Sequence, residues 1–412
     1  MQIIHDCCCG LDVHAKTVVA CLIKHGRKQI LTFSTMTDDL LRLLDWLTAE
    51  GCTHVAIEST GVYWRPVFNI LEGSLEVILV NARHVKAVPG RKTDVKDCEW
   101  LADLLRHGLL KASFIPPLEI RELRELTRYR NSIVREQATI SNRIQKIAES
   151  GNIKLSQVAS DALGVSGRLM LRALAGGETD VEKMSELARA RLRNKKGELK
   201  RALEGRLTCA QRWVLAELLD RYEELEAAIK KVNEQIRKEV EESADPFVRE
   251  AIELLDTIPG VGEPVAQIIV SEMGVDMRRF PTDKHLASWA GMCPGNNESA
   301  GKRKSGKTTK GSQYLRAALV QAAWAASRTK GTYLRAQYQR LVKRMGKNKA
   351  LVAVGHSILV ICYHVLSSRG SYQEMGGDYF DRRNLQDQRE RLIRKLQSLG
   401  LKVTVEEPEV AA

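Results

Sequence analysis

The chain predicts an α/β domain followed by a mainly helical remainder, and three observations carry that reading. Residues 1 to 115 open with three short apolar runs and then alternate strand-like and helix-like segments. Between Pro117 and Pro246 there is no proline, and the interval is rich in Glu, Lys, Arg, Leu and Ala, the composition of long helices. Aromatic residues are 5% and charged residues 28% of the 412 residues, which favours helix over sandwich or barrel.

In the first domain, 1–115, a strand ending in Cys9-Gly10-Leu11-Asp12-Val13-His14 is followed by Thr17 to Ile23 and by Gln29 to Ser34. A helix from Asp38 to Glu50 with Leu40, Leu41, Leu44 and Leu47 on one side, the strand His54 to Glu58, a helix from Tyr63 to Leu71 and the strand Val77 to Val80 come next. Three strands in a row and then alternation predict a mixed sheet of the ribonuclease-H type. Asp12 stands among apolar neighbours, where a lone ionised carboxylate costs several kcal/mol unless it is protonated, paired or bound to a cation. Glu58 ends a central strand. In the helix from Asp94 to His107, Leu101, Leu104 and Leu105 form the inward stripe, and stepping back by three or four residues reaches Asp97 and Asp94. The same two acids read alternatively as a capping box on the helix dipole.

Residues 116–248 predict a helical coiled-coil region. Leu215, Leu218, Tyr222, Leu225, Ile229, Val232 and Ile236 keep a 4-3 spacing, and Leu123, Leu126, Ile133, Ile140, Ile144 and Ile147 form a first arm interrupted by Arg130 and Gln137. Such a seam packs arms together or joins subunits. A shorter helical tip lies between the arms. In residues 249–370, Ile258-Pro259-Gly260-Val261-Gly262-Glu263-Pro264 reads as helix, turn, helix; Gly260 and Gly262 would let backbone N–H groups approach a phosphate, as in a helix-hairpin-helix, although an ordinary αα-hairpin has the same pattern. Ala300 to Gly311 predicts a flexible cationic loop, with Lys302, Arg303, Lys304, Lys307 and Lys310 able to clamp phosphates or simply face solvent. A charged tail, 371–412, ends the chain.

The net charge of +13 points to a polyanionic partner. Its distribution is sharper: Ser299 to Gln373 holds fifteen Lys and Arg and no Asp or Glu, which leaves the remainder slightly acidic. The nine cysteines form no C-x-x-C, and those at 7, 8 and 9 alternate faces of a strand, so they read as reduced core residues of a cytoplasmic protein. The apolar run Leu351 to Leu366 is broken by His356, Ser357 and His364, which predicts a buried helix and no membrane span.

Four acids gathered at one sheet edge would suit two hard divalent cations acting on a phosphodiester. In the segments GLDVHAK, IEST, KTDVKDCEWLADLL, IPGVGEPVA and WAGMCPGNNESAGKRKSGK the chain resembles the insertion sequence 110 family, the DEDD transposases whose members are bridge-RNA-guided recombinases. The resemblance covers residues 5 to about 150 and 250 to 367. It implies a RuvC-like domain with Asp12, Glu58, Asp94 and Asp97 as catalytic ligands of two Mg²⁺ ions, and Ser299 as nucleophile in a C-terminal transposase domain, with Ser305 the fallback. It further implies donor and target DNA and a structured noncoding RNA as partners, a homodimer assembling to a tetramer, and activity at the nucleoid. Three rivals are weighed against it: a junction resolvase, which keeps the acids and has no need of Ser299; an actin-like kinase or ATPase, which shares Asp12-x-x-x-Lys16 but would need further nucleotide motifs; and a catalytically silent nucleic-acid scaffold.

Overall fold

Strand β1 (Cys7–Val13) is the middle of a five-stranded sheet. It pairs antiparallel with β2 (Thr17–Lys24), which pairs antiparallel with β3 (Arg27–Ser34). On its other edge β1 runs parallel to β4 (His54–Glu58), and β4 parallel to β5 (Glu76–Val80), giving the order β3-β2-β1-β4-β5. The computed structural model describes residues 2–59, 61–81, 85, 97–295, 297–299, 301–305, 307–383 and 385–404, and separates into two compact units, Met1–Pro116 and Pro117–Ala412.

Both faces of the sheet are covered. Cys9, Leu11 and Val13 of β1, with Val55 and Ile57 of β4, pack against α1 (Thr37–Ala49) and α2 (Trp64–Leu71) through Leu40, Leu43, Leu47, Val67 and Leu71. On the opposite face Cys8, Cys21 and Ala56 meet Cys98, Leu101, Ala102, Leu104 and Leu105 of α3 (Asp97–Arg106). The odd and even residues of β1 therefore serve different cores, as the period of two requires.

The second unit begins with two 33-residue helices, α4 (Leu118–Ser150) and α9 (Cys209–Glu241), the latter opened by a Thr208–Gln211 capping box. Between them a tip is built from α5 (Leu155–Val158), α6 (Val165–Ala175), α7 (Val181–Glu186) and α8 (Lys196–Leu203). Pairs such as Ser150–Gln211, Glu136–Arg221 and Arg130–Asn233 show α4 and α9 to be antiparallel partners within one chain. The apolar seam is filled intramolecularly, with Leu219 fully buried where the spacing favours Leu218. Arg130 does not interrupt it: the guanidinium is 6% exposed and donates to Asn233 Oδ1 (3.0 Å), Gln267 Oε1 (2.5 Å) and the Pro264 carbonyl (2.9 Å).

The remaining helices are α10 (Phe247–Asp256), α11 (Glu263–Met273), α12 (Asp283–Trp289), α13 (Gln313–Ala326), α14 (Tyr333–Met345) and α15 (Lys347–Ser368), followed by α16 (Tyr379–Arg383) and α17 (Leu385–Ser398). By length and composition α15 could cross a membrane; here Val354, Ile358, Leu359 and Cys362 on it are buried within the unit. Between α12 and α13 the expected flexible loop is instead a two-stranded hairpin, β6 (Asn297–Ser299) and β7 (Lys302–Ser305). Backbone pairing at its base, described below, supplies the order that composition concealed.

Candidate active site

The first unit places two of the four expected acids, Asp12 and Glu58, at the same end of one sheet face. Asp12 follows Cys8 and Gly10 on the α3 side of β1, and Glu58 follows Ala56 on the same side of β4. The parallel register Gly10↔Ala56, Leu11↔Ile57, continued by one residue, sets Asp12 level with Glu58. Helix α3 crosses this face so closely that a Cβ on Gly10 would lie 2.2 Å from the Cys98 carbonyl oxygen and 2.5 Å from the Ala102 nitrogen. Four residues on, the Ala102 carbonyl accepts from Cys8 Sγ at 3.6 Å. The helix thus runs back along β1 from the strand's C-terminal end, and exposed Asp97 lies N-terminal to its contacts with Gly10. Burial raises the Cys98 thiol pKa, and the Asp12 charge adds to that rise, a second sign of their proximity.

Asp12 is 26% exposed at its side chain, and His14 Nε2 lies 3.2 Å from its Oδ2. His14 is a site neighbour that residue type alone did not single out; its spacing of two along the strand end was the available signal. Asp94 lies outside the described residues. Among the described residues no group of three or more His, Cys, Asp or Glu is placed to hold a metal ion. The donors at this strand end are carboxylate oxygens and the His14 imidazole beside Asp12, and carboxylate oxygens are the donors that hard divalent cations take. The nearby thiols do not compete, since burial pushes Cys8 and Cys21 up to about 12 and keeps them protonated.

In the second unit Ser299 pairs with Lys302 at the outer end of the β6–β7 hairpin, and Gly301 between them takes φ +73°. Asn297 pairs with Ser305 and Glu298 with Arg303, so the strands slip by one residue at a bulge that holds Lys304. At the base, Gly295 N–H donates to the Lys307 carbonyl at 2.8 Å and Pro294 bridges Thr308. Below that, a Cβ on Gly311 would lie 2.1 Å from the Ala290 oxygen, so two glycine-permitted backbones close the hairpin's neck. Lys307 is exposed at this base, and Lys310 is exposed on the segment leading to α13.

Sequence reasoning missed the anchor of this segment. Glu272 is 2% exposed and receives Arg128 Nε at 2.7 Å, Arg128 Nη2 at 2.9 Å and Ser312 Oγ at 2.9 Å. Ser312 also caps α13 by accepting from Leu315 N–H, while Arg124 donates to the carbonyls of Ser271 and Glu272. One buried carboxylate thus joins α4, α11 and the start of α13. The signal was a lone acid inside the apolar run Val265 to Met273.

The expected helix-hairpin-helix glycines differ in setting. Gly260 has φ +89°, and its missing Cβ would lie 2.4 Å from the Ala322 carbonyl, so close packing on α13 already demands glycine. Gly262 is exposed at the N-cap of α11.

The comparisons define the class. A family model for DEDD transposases of the IS110 type, described as "Transposase", matches residues 9–151. A second, described as "Transposase IS116/IS110/IS902 family", matches residues 252–339. The chain is similar to the pilin gene-inverting protein of Moraxella bovis, with 24% identity over 368 residues, 87% of this chain and 94% of the relative; the Moraxella lacunata protein matches over the same span. It is also 29% identical over 161 residues to a putative transposase of Sinorhizobium fredii, 38% of this chain and 40% of that one. The protein is a DNA transposase/recombinase. It belongs to the IS110 family of transposases.

Proposed function

We propose that this transposase has a RuvC-like first domain in which Asp12, Glu58, Asp94 and Asp97 hold two Mg²⁺ ions, and that it cuts and rejoins DNA through Ser299. The level register of Asp12 and Glu58 on the α3 face, with Asp97 on α3 itself, is the observation that carries this reading. Bound there, such ions supply Lewis acidity for a phosphodiester and stabilise the departing oxygen. The chain's own residues do the rest. Ser299 Oγ loses its proton and attacks phosphorus; the phosphorus–oxygen ester bond breaks, and the leaving strand oxygen takes up a proton. The phosphoserine keeps one phosphodiester linkage in place of another, so a second strand's hydroxyl can reverse the step and regenerate Ser299. Lys302, Arg303, Lys304, Lys307 and Lys310, with the backbone at Gly260 and Gly262, hold phosphates around it.

Sequence choice comes from a structured bridge RNA pairing with donor and target DNA, which suits a chain with many cations and few aromatics for stacking. Subunits assemble as a homodimer and then a tetramer in the cytoplasm, on the chromosome. Incubation with flanking noncoding RNA, labelled donor and target DNA and Mg²⁺ should give a protein–DNA adduct that Ser299→Ala abolishes and Ser305→Ala retains. An adduct that survives Ser299→Ala removes the assigned nucleophile.

A further inference from the structure

Beside the base of the serine hairpin lies an open groove of about 1250 Å³, bounded by Pro294, Lys307 and Thr308 on the hairpin side and by α14 and α15 on the other. Its volume exceeds the about 300–1,000 Å³ of small-molecule pockets. The floor is apolar, with Met292, Val352 and Ala353, while Arg316, Arg344 and Lys349 stand around it. No Asp or Glu lines it among the described residues, in keeping with the acid-free stretch from Ser299 to Gln373.

Two features separate this groove from a general cationic surface. Gln337 Nε2 donates to Ser357 Oγ at 2.8 Å, and Ser357 donates on to the Ala353 carbonyl at 3.4 Å, which fixes the amide. Gln337 Oε1 is left buried without a hydrogen-bond partner, an acceptor awaiting an N–H donor. Beside it, half-buried His356 has its pKa lowered by burial against the opposing pull of Asp283, and offers a flat uncharged face. Paired DNA presents phosphates and hides its bases, so it has no use for an apolar floor. Unpaired nucleotides expose flat apolar faces and N–H edges together with phosphates.

We propose that this groove holds unpaired nucleotides of the strand being exchanged, with bases on the Met292–Val352–Ala353 floor, one N–H edge on Gln337 Oε1, and phosphates on Arg316, Arg344 and Lys349. The proposal rests on reading Ser299 as the nucleophile, and gives that residue a strand held open beside its hairpin. Binding of a labelled single-stranded oligonucleotide and of its duplex to the full chain, measured by anisotropy in EDTA, tests it independently of the chemistry. Val352→Glu should weaken single-strand binding about tenfold and duplex binding far less. Arg344→Ala, at an exposed rim position, should lower the salt slope for the single strand by about 0.7 while melting as the wild type does. A 2-aminopurine in the single strand should brighten on binding to the wild type and stay quenched with Val352→Glu. Single-strand affinity unchanged in both variants, or equal losses for both nucleic acids, overturns the groove assignment. Absence of any adduct with the wild type, whatever these affinities, counts instead against Ser299.

Discussion

The two regions that carry the proposed chemistry are built on different principles. The acids of the first unit stand on a central strand, its parallel neighbour and a helix pressed against both, with Gly10 setting the approach. The serine of the second unit stands at the end of a hairpin only two strands wide, ordered at its neck and anchored by a carboxylate beyond it. Ligands for small cations need positions fixed by packing on all sides, because coordination tolerates little error. A nucleophile that must reach a polymer is better carried on a projecting arm whose base is firm. The comparison teaches that positioning energy sits in the sheet itself for the acids and away from the serine for the hairpin.

Breaking the anchor of the second unit should have the larger effect on stability. Glu272→Ala removes a buried acid and strands the guanidinium of Arg128, which should cost about 3 kcal/mol; Arg128 retains 30% exposure and regains some water, which keeps the figure at the low end for a broken buried pair. Urea unfolding of the full chain gives the value. Adduct formation should fall as well, because Ser312 loses its partner at the end of the hairpin segment.

Gly10→Ala attacks the first unit. Its Cβ overlaps backbone atoms of α3, and overpacking there should cost about 2 kcal/mol. The sharper effect is on strand exchange, which should drop more than tenfold because the start of α3 is pushed away from Asp12. Loss of stability with full activity would show that Asp97 does not depend on this packing.

The smallest effect concerns pH and is read at α15 of the second unit. Burial lowers the folded pKa of His356 from its ordinary 6.5, so its neutral form is the one the fold prefers. Its contribution is intact above pH 6.5 and is lost as pH falls below that value toward the folded pKa, when the unfolded chain takes up the proton more readily. Melting at pH 7.5 and pH 5.5 should show a decline that His356→Gln reduces. An unchanged decline would place its cause elsewhere.

Much of this was legible in the sequence, for identifiable reasons. Apolar runs bounded by polar turns mark the five strands along the chain, so β1 and β4 and the acids at their ends can be read directly, while the order of the strands in the sheet cannot. What escaped were features decided by tertiary partners. Arg130 looked like a break in a seam and is a hydrogen-bonded lock across three elements; Leu218 held the heptad position that Leu219 occupies in space. The hairpin was hidden because Lys, Gly and Ser carry no strand signal, and its order comes from a neck formed by residues on both sides. The close packing of Gly260 on α13, which by itself requires glycine, likewise has no signal in the chain.

Manganese titration of the full chain, followed by electron paramagnetic resonance, tests the acid cluster most directly. Asp12→Asn and Glu58→Gln, changed one at a time, should each weaken binding tenfold or more while thermal melting stays close to that of the wild type. Two variants that titrate like the wild type would contradict a shared site on β1 and β4.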